Sequence, residues 1–333
     1  MAKIIARRQF ISVLGGTAIW SFGASAQPAD KMRRVGVLPT GYRQSDPEGQ
    51  ARVAAFLDTL RRLGWNDGRN VQLDIRWPSN DIDRIREETT ALVGSAPDAI
   101  VISANAALAV LQKLDKKIPT VFVQVSDPVG GGFVNSLSRP DGNVTGFQNF
   151  EPAMGGKWLG LLKEIAPSVT RAAAIVHPDT AAHLEFLRAA EAVARPLGIQ
   201  MSTISAVGGD ETARGIAQFA DTPDGGLIVL PHPGNINNRD SLIGLAARLR
   251  LPAIYPFRYF ATGGGLASYG FDQLEHWRGA AGYVDRILRG AKPADLPVQA
   301  PTKYDLVVNL SSAKALGLTI SPSLLATANE VID

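Results

Sequence analysis

Residues 121–150, VFVQVSDPVGGGFVNSLSRPDGNVTGFQNF, decide how the rest of the chain is divided. The apolar, β-branched run at 121–125 predicts a buried strand, and 144–147 predicts a second, short one. Between them, Asp127 is suited to cap a helix and Pro128 to occupy its first position. A new series of strand and helix patterns follows this stretch, which therefore marks the end of one α/β lobe and the crossing to another.

Length and composition limit the classes of protein that this chain can belong to. With 333 residues it exceeds a typical single core, so we expect two domains. The formal charge of +3 is accounted for by three basic residues within 1–26, and no basic stripe suggests nucleic-acid binding. The sequence contains no cysteine, which excludes a disulfide scaffold, a cysteine metal site, a cysteine nucleophile and a lipoprotein anchor.

The N-terminal residues have the pattern of an export signal. A twin-arginine signature, RRQFI at 7–11, precedes an apolar stretch at 11–22, and the small residues ASA at 24–26 fit the cleavage rule. A membrane helix is the alternative, but the stretch is too short and too rich in Gly and Ser. We expect twin-arginine export, cleavage near Ala26 and a mature protein free in the periplasm.

Strand and helix patterns alternate along both halves of the chain, which predicts parallel sheets with right-handed crossovers. Ligands of such sheets bind beyond the carboxyl ends of the strands. Because these ends come from both halves, we expect a shared cleft between the lobes. The candidate ligand-binding residues are Thr40, Tyr42, Ser103, Ala104, Asn105, Ser126, Asp127, Thr145, Asn149, His177, Asp179, His232, Tyr255 and Tyr269.

Several of these candidates have two interpretations. The helix start at 103–105 can hold a ligand carboxylate, or Ser103 and Asn105 can simply cap the helix. Asp127 can pair with a ligand ammonium, in which case Asp127→Asn weakens binding about 30-fold or more, or it can act only as a cap. Ser126 has the same alternatives. Thr145 and Asn149 can reach the ligand or form hydrogen bonds within the hinge.

The aromatic candidates also have two interpretations, as ligand contacts or as structural residues. The tyrosines can stack on a ligand or donate hydroxyl groups, but they can also pack in the core or hinge. His177 and His183 lack the spacing of metal ligands on one helical face, and we expect no metal site. His232 is expected in a loop near the cleft, and His276 on the surface of an amphipathic helix.

A helix is also expected at 322–331.

Six motifs together resemble the tryptophan/tyrosine-type substrate-binding proteins of ABC importers, from about Arg34 to the C-terminus. They are VSDPV at 125–129, RPDGNVTG at 139–146, GGLASYG at 264–270, AAGYV at 280–284, GAKPADLP at 290–297 and NLSSAKALGL at 309–318. The resemblance implies the type I periplasmic-binding-protein fold, an α/β fold with two Rossmann-like lobes joined by a multi-crossing hinge. The expected N-terminal lobe is 33–148 plus 271–300, and the C-terminal lobe is 149–270 plus 301–333.

The function implied by this resemblance is capture of a small polar solute, such as an amino acid, aromatic or otherwise, or a related carboxylate. The expected partner is an ABC permease in the inner membrane, and the protein is expected to be a monomer without a cofactor. The alternative is a ligand sensor or an enzyme built on the same lobes. The sequence has no G-x-S-x-G elbow and no Walker loop, so we expect no enzyme.

Overall fold

The computed structural model describes residues 32–178 and 180–333, so the expected signal segment and Asp179 lie outside the described residues. Five parallel strands form the first sheet in the order β2-β1-β3-β4-β5. They are β1 (Arg33–Leu38), β2 (Val71–Ile75), β3 (Ala99–Ser103), β4 (Thr120–Val125) and β5 (Val144–Gln148). The connecting helices are α1 (Pro47–Arg62), α2 (Ile82–Gly94) and α3 (Asn105–Leu114).

Seven strands form the second sheet in the order β12-β11-β10-β9-β8-β6-β7, and within it β10 and β11 pair antiparallel. The strands are β6 (Arg171–Val176), β7 (Gln200–Ser205), β8 (Gly225–Val229), β9 (Ala253–Tyr255), β10 (Ala267–Gly270), β11 (Asp305–Asn309) and β12 (Glu330–Ile332). The remaining helices are α4 (Met154–Ile165), α5 (Ala181–Ala194), α6 (Gly209–Ala220), α7 (Pro233–Asn237), α8 (Arg239–Arg248), α9 (Arg258–Thr262), α10 (Gln273–Leu288), α11 (Leu310–Ala315) and α12 (Pro322–Thr327). The predicted two-lobed α/β class is confirmed.

Helix α10 belongs to the first lobe although it follows a strand of the second. Its Trp277 and Val284 are fully buried in the same cluster as Val35 and Val101 of the first sheet. The chain then runs beside β5, where Gln299 donates its N–H to the carbonyl of Gly146. These crossings join the lobes, while the exact boundaries at 148, 271 and 301 stay predictions.

Two local expectations on secondary structure are wrong. No helix begins at Pro128, because Asp127 has φ +44° and its carboxylate accepts a hydrogen bond from the N–H of Gly130, which closes a turn. The last helix ends at Thr327, because Asn329 forms two hydrogen bonds to the backbone of Leu306. The following residues therefore form β12 on the edge of the second sheet.

The expectation for His276 is also wrong, since its side chain is buried and only 6% of the residue is exposed. Its ring lies 4.3 Å from that of Phe271 and 5.5 Å from that of Phe147, measured between centroids. Helix α10 is covered by the sheet on one side and by these hinge aromatics on another, so more of its surface is buried than a single apolar stripe predicts. Within the described part of the chain, no helix is long and apolar enough to cross a membrane.

Candidate substrate-binding cleft

A cavity of about 560 Å³ lies at the carboxyl ends of strands from both sheets. The first lobe contributes loops after β1, β2, β3 and β4, and the second contributes loops after β6, β7 and β8. Of the residues expected to bind a ligand, the structure brings eight to its wall: Thr40, Tyr42, Ala104, Asn105, Ser126, Asn149, His177 and His232. Their roles as ligand contacts stay predictions.

The buried hydroxyls among the other candidates form hydrogen bonds within the protein. Ser103 donates its hydroxyl to the carbonyl of Thr40 at 3.0 Å, which ties the ends of two neighbouring strands together. Thr145 donates to the carbonyl of Leu296 at 2.5 Å, so it joins β5 to the segment that follows α10. Both side chains are fully buried and do not line the cavity.

The remaining candidates that the structure describes also lie away from the cavity wall. Tyr255 is buried and stacks on Phe260, with 5.0 Å between the ring centroids. Tyr269 stacks on Tyr304 at 5.7 Å. These two rings pack within the second lobe. Asp127 lies in its turn, as described above.

The backbone beside the cavity contains two residues with a left-handed conformation. Ala104, immediately before α3, has φ +69°, and Gln124 has φ +56° at a bulge between Val123 and Val125. Non-glycine residues in this region carry strain, and such strain concentrates at functional sites. At Gln124, the irregularity directs a polar side chain of a buried strand to the cavity wall.

An amide network fixes the polar wall of the first lobe. Asn105 donates to the carbonyl of Ser126 at 2.8 Å and accepts from its N–H at 3.0 Å. The side-chain amide of Asn149 donates to the hydroxyl of Ser126 at 3.4 Å, while its side-chain oxygen, Oδ1, has no partner among the described residues. Gln124 donates to the hydroxyl of Tyr42 at 3.2 Å. The network leaves a buried acceptor, the Asn149 oxygen, on a residue of the cavity wall.

Two histidines of the second lobe, His177 and His232, line the cavity, and His183 contacts both of them. The rings of His177 and His232 stack with 3.8 Å between centroids, and His183 accepts a hydrogen bond from the N–H of His177. Burial, with the neighbouring histidines, lowers the pKa of His232 to about 2. Its Nδ1 accepts from the N–H of Gly234, so in the neutral ring Nε2 carries the proton. His232 can therefore present an uncharged donor to a ligand.

The N-termini of α3 and α5, one from each lobe, start at the cavity wall. Ala104 and Thr180 are the residues before these helices, and neither side chain caps its helix. The first N–H groups of a helix and its dipole favour an anion. This arrangement is suited to a ligand carboxylate, as the sequence predicted for the start of α3.

Four amide or aromatic residues of the cavity wall were not predicted from the sequence. They are Asn80, Gln124, Phe133 and Phe257. The loop after β2 could have indicated Asn80, because it follows a strand end. Gln124 lies within a continuous strand pattern, and no sequence signal marks its bulge. The positions of Phe133 and Phe257 at the cavity wall depend on how their loops fold over the cleft, which the sequence pattern does not indicate.

The model of the family described as ABC transporter substrate binding protein matches residues 45–332. The chain belongs to this family. A tyrosine-binding protein of Clostridioides difficile is 22% identical over 264 residues, covering 79% of this chain and 75% of that protein. The structure of an ABC domain from Streptococcus pneumoniae in complex with L-Trp matches with a TM-score of 0.82 and 25% identity, covering 90% of this chain and 100% of that one. A conserved domain protein from Vibrio cholerae matches with a TM-score of 0.83 and 28% identity, over 90% and 100%.

This substrate-binding protein has an ion pair that joins its two lobes. Arg239 at the start of α8 donates to the carboxylate of Asp46 at 2.8 Å, and the two side chains are only 19% and 10% exposed. Asp46 also caps α1, where it accepts from the N–H of Glu48. The pair therefore holds the start of a first-lobe helix against a second-lobe helix.

Asp46→Asn is expected to weaken solute binding about tenfold, equivalent to about 1.4 kcal/mol. The asparagine keeps the helix cap but removes the charge that pairs with Arg239 of the other lobe. Calorimetric titration with the tightest solute checks this effect. The matched control is Asp81→Asn, which changes the cap of α2, where the side chain accepts from the N–H groups of Asp83 and Arg84 in its own helix. Equal affinities for the two variants would contradict the role of the ion pair.

Asp127→Asn is expected to change solute affinity less than about twofold. The Asp127 carboxylate accepts from Gly130 within its own turn, and asparagine tolerates the same left-handed backbone. This expectation differs from the loss of about 30-fold that a direct ammonium contact predicts. The same titration distinguishes the two expectations, because a loss of affinity near 30-fold would show that Asp127 contacts the ligand.

Proposed function

We propose that this chain is a periplasmic substrate-binding protein that delivers a small solute to an ABC permease in the inner membrane. The observation that carries the proposal is the cavity whose wall comes from both lobes. A ligand held there contacts both lobes only when they are close together. It therefore stabilises the closed form by its higher affinity for that form.

The proposed solute is an amino acid, aromatic or otherwise, or a related carboxylate. Its carboxylate would lie against the start of α3, where the uncapped N–H groups favour an anion. The buried carbonyl oxygen of Asn149 would accept from a ligand N–H. The rings of Phe133, His177 and His232 line the same cavity and are suited to an aromatic or apolar side chain. The names of the tyrosine-binding and L-Trp-bound relatives support this class of ligand.

The proposed action is binding without turnover, by a monomer exported through the twin-arginine pathway. The lobes would move about the crossings near 148, 271 and 301. Closure of this kind is a rigid-body motion of domains about a few hinge residues. The family, whose members bind substrates for ABC transporters, supports transport rather than catalysis.

A thermal-shift screen of the purified protein tests the proposal. The panel contains the twenty amino acids, aromatic carboxylates without an amine, and sugars as a contrasting class. A solute that binds the folded protein at 100 times its Kd raises stability by about 2.7 kcal/mol, which gives a measurable increase in Tm. We expect a shift with at least one amino acid or aromatic carboxylate. Shifts confined to sugars would overturn the proposed solute class.

A further inference from the structure

We propose that the protein has a second ligand site, for a small zwitterion of the size of alanine, in a separate cavity beside the start of α10. This cavity has a volume of about 210 Å³. Its wall includes Arg52 of α1, Gln273 of α10, and residues 257–259 of the second lobe. The site goes beyond the transport function proposed above and does not depend on it.

Among the buried donors on the wall of this cavity, the Nε of Arg52 and the Nε2 of Gln273 lack a hydrogen-bond partner within the described part of the chain. Arg52 is 2% exposed; its terminal nitrogens donate to Glu48 and to the side-chain oxygen of Gln273, while its Nε has no partner among the described residues. Gln273 is 4% exposed, and because its oxygen accepts from Arg52, its Nε2 is left without a partner in the same part of the chain. Buried donors without acceptors are unfavourable, so the pair is suited to a ligand carboxylate.

Carboxylates on the same wall determine the other end of the ligand. Glu48 and Asp272 line the cavity, with side chains 37% and 49% exposed, and Asp305 also lines it. Arg258 also lines the cavity, with its guanidinium paired to Glu330. Three acids against Arg52 and Arg258 leave the wall with a net negative charge, which disfavours a simple anion. A zwitterion satisfies both sets of groups, with its carboxylate inward on Arg52 and Gln273 and its ammonium outward toward the acids.

The second cavity is adjacent to the main one. Phe257 lines both cavities, and the guanidinium of Arg52 lies 4.9 Å from the ring centroid of Tyr42, which lines the main cavity. The second cavity also contacts both lobes, since Glu48 and Gln273 come from the first and Tyr259 from the second. A zwitterion bound there would therefore favour the closed arrangement of the lobes.

Calorimetric titration with L-alanine tests the site in a variant whose main cavity is blocked. Ala106 lines the main cavity on the exposed side of α3, so Ala106→Trp places an indole in that cavity and changes none of the residues that line the second one. We expect L-alanine to bind this variant with one site. Acetate and methylamine, which each carry half of the zwitterion, should bind at least tenfold more weakly.

Two exposed carboxylates provide the second arm of the test. In the Ala106→Trp background, Glu48→Gln with Asp272→Asn should weaken L-alanine binding at least tenfold, and the asparagine keeps the cap of α10. The control pair is Asp83→Asn with Glu185→Gln, two exposed acids outside both cavities. Absence of binding to the blocked variant would show a cavity filled by water only and overturn the proposal. Binding that the Glu48 and Asp272 changes leave intact would overturn it as well.

Discussion

Lowering the pH from 8 to 5 is expected to reduce the free energy of unfolding by about 6 kcal/mol through three buried histidines. Burial lowers the pKa of His183 to about 4, that of His276 to about 3 and that of His232 to about 2, from an ordinary value of 6.5. All three rings stay neutral in the folded protein at pH 5, while in the unfolded chain they bind protons. The stabilisation is complete above pH 6.5 and is lost as the pH falls toward the folded values, at about 2 kcal/mol for each histidine by pH 5.

Urea denaturation at pH 8, 6.5 and 5 measures this dependence. His276→Phe is the informative variant, because the ring packs against Phe147 and Phe271 and its Nδ1 has no partner among the described residues. The variant should lose about a third of the pH dependence, or about 2 kcal/mol between pH 8 and 5. If the free energy of unfolding of the variant depended on pH as that of the unchanged protein does, His276 would take up a proton in the folded protein.

Gly155→Ala is expected to reduce the free energy of unfolding by about 3 kcal/mol, since it introduces a clash that the structure relieves only by moving a helix. A Cβ at Gly155 in α4 would lie 1.9 Å from the carbonyl oxygen of Phe186 in α5. The atom that it meets is backbone, so no side-chain rotation removes the contact. The glycine therefore allows the close packing of α4 against α5.

The matched control is Gly160→Ala in the same helix. A Cβ at Gly160 meets no atom within 4 Å, so the change should stabilise the protein by about 0.5–1 kcal/mol through helix propensity alone. Urea denaturation of both variants at pH 8 gives the comparison. Changes of the same sign would show that the close approach at Gly155 is not required for packing.

The fold was predictable because its physical determinants are local. The strand pattern at 99–102 is a continuous apolar run, and Ala99–Ser103 is indeed a strand buried throughout. Two of the errors arose where a distant contact decides the structure. Pairing of Asn329 with Leu306 made a strand from a helix-like segment, and the hinge aromatics covered His276.

The candidate site was predictable to the extent that loops after strands face the cleft. That rule placed Thr40, Asn105 and His232 at the cavity wall. It failed for Ser103 and Thr145, because side chains of a strand alternate between its two faces and these two are held within the protein. It also missed Gln124, whose direction depends on a bulge that no residue pattern marks.

The central claim is that the solute lies in the cavity between the lobes. The most direct measurement is calorimetric titration of the tightest solute from the screen into three proteins: the unchanged chain, Ala106→Trp and Ala91→Trp. Ala91 is an exposed residue of α2 outside the cavity wall, so its variant introduces the same side chain without filling the cleft. We predict a loss of affinity of about 100-fold or more for Ala106→Trp, equivalent to about 2.7 kcal/mol, and less than about twofold for Ala91→Trp. Equal affinity of all three proteins would contradict binding in this cleft.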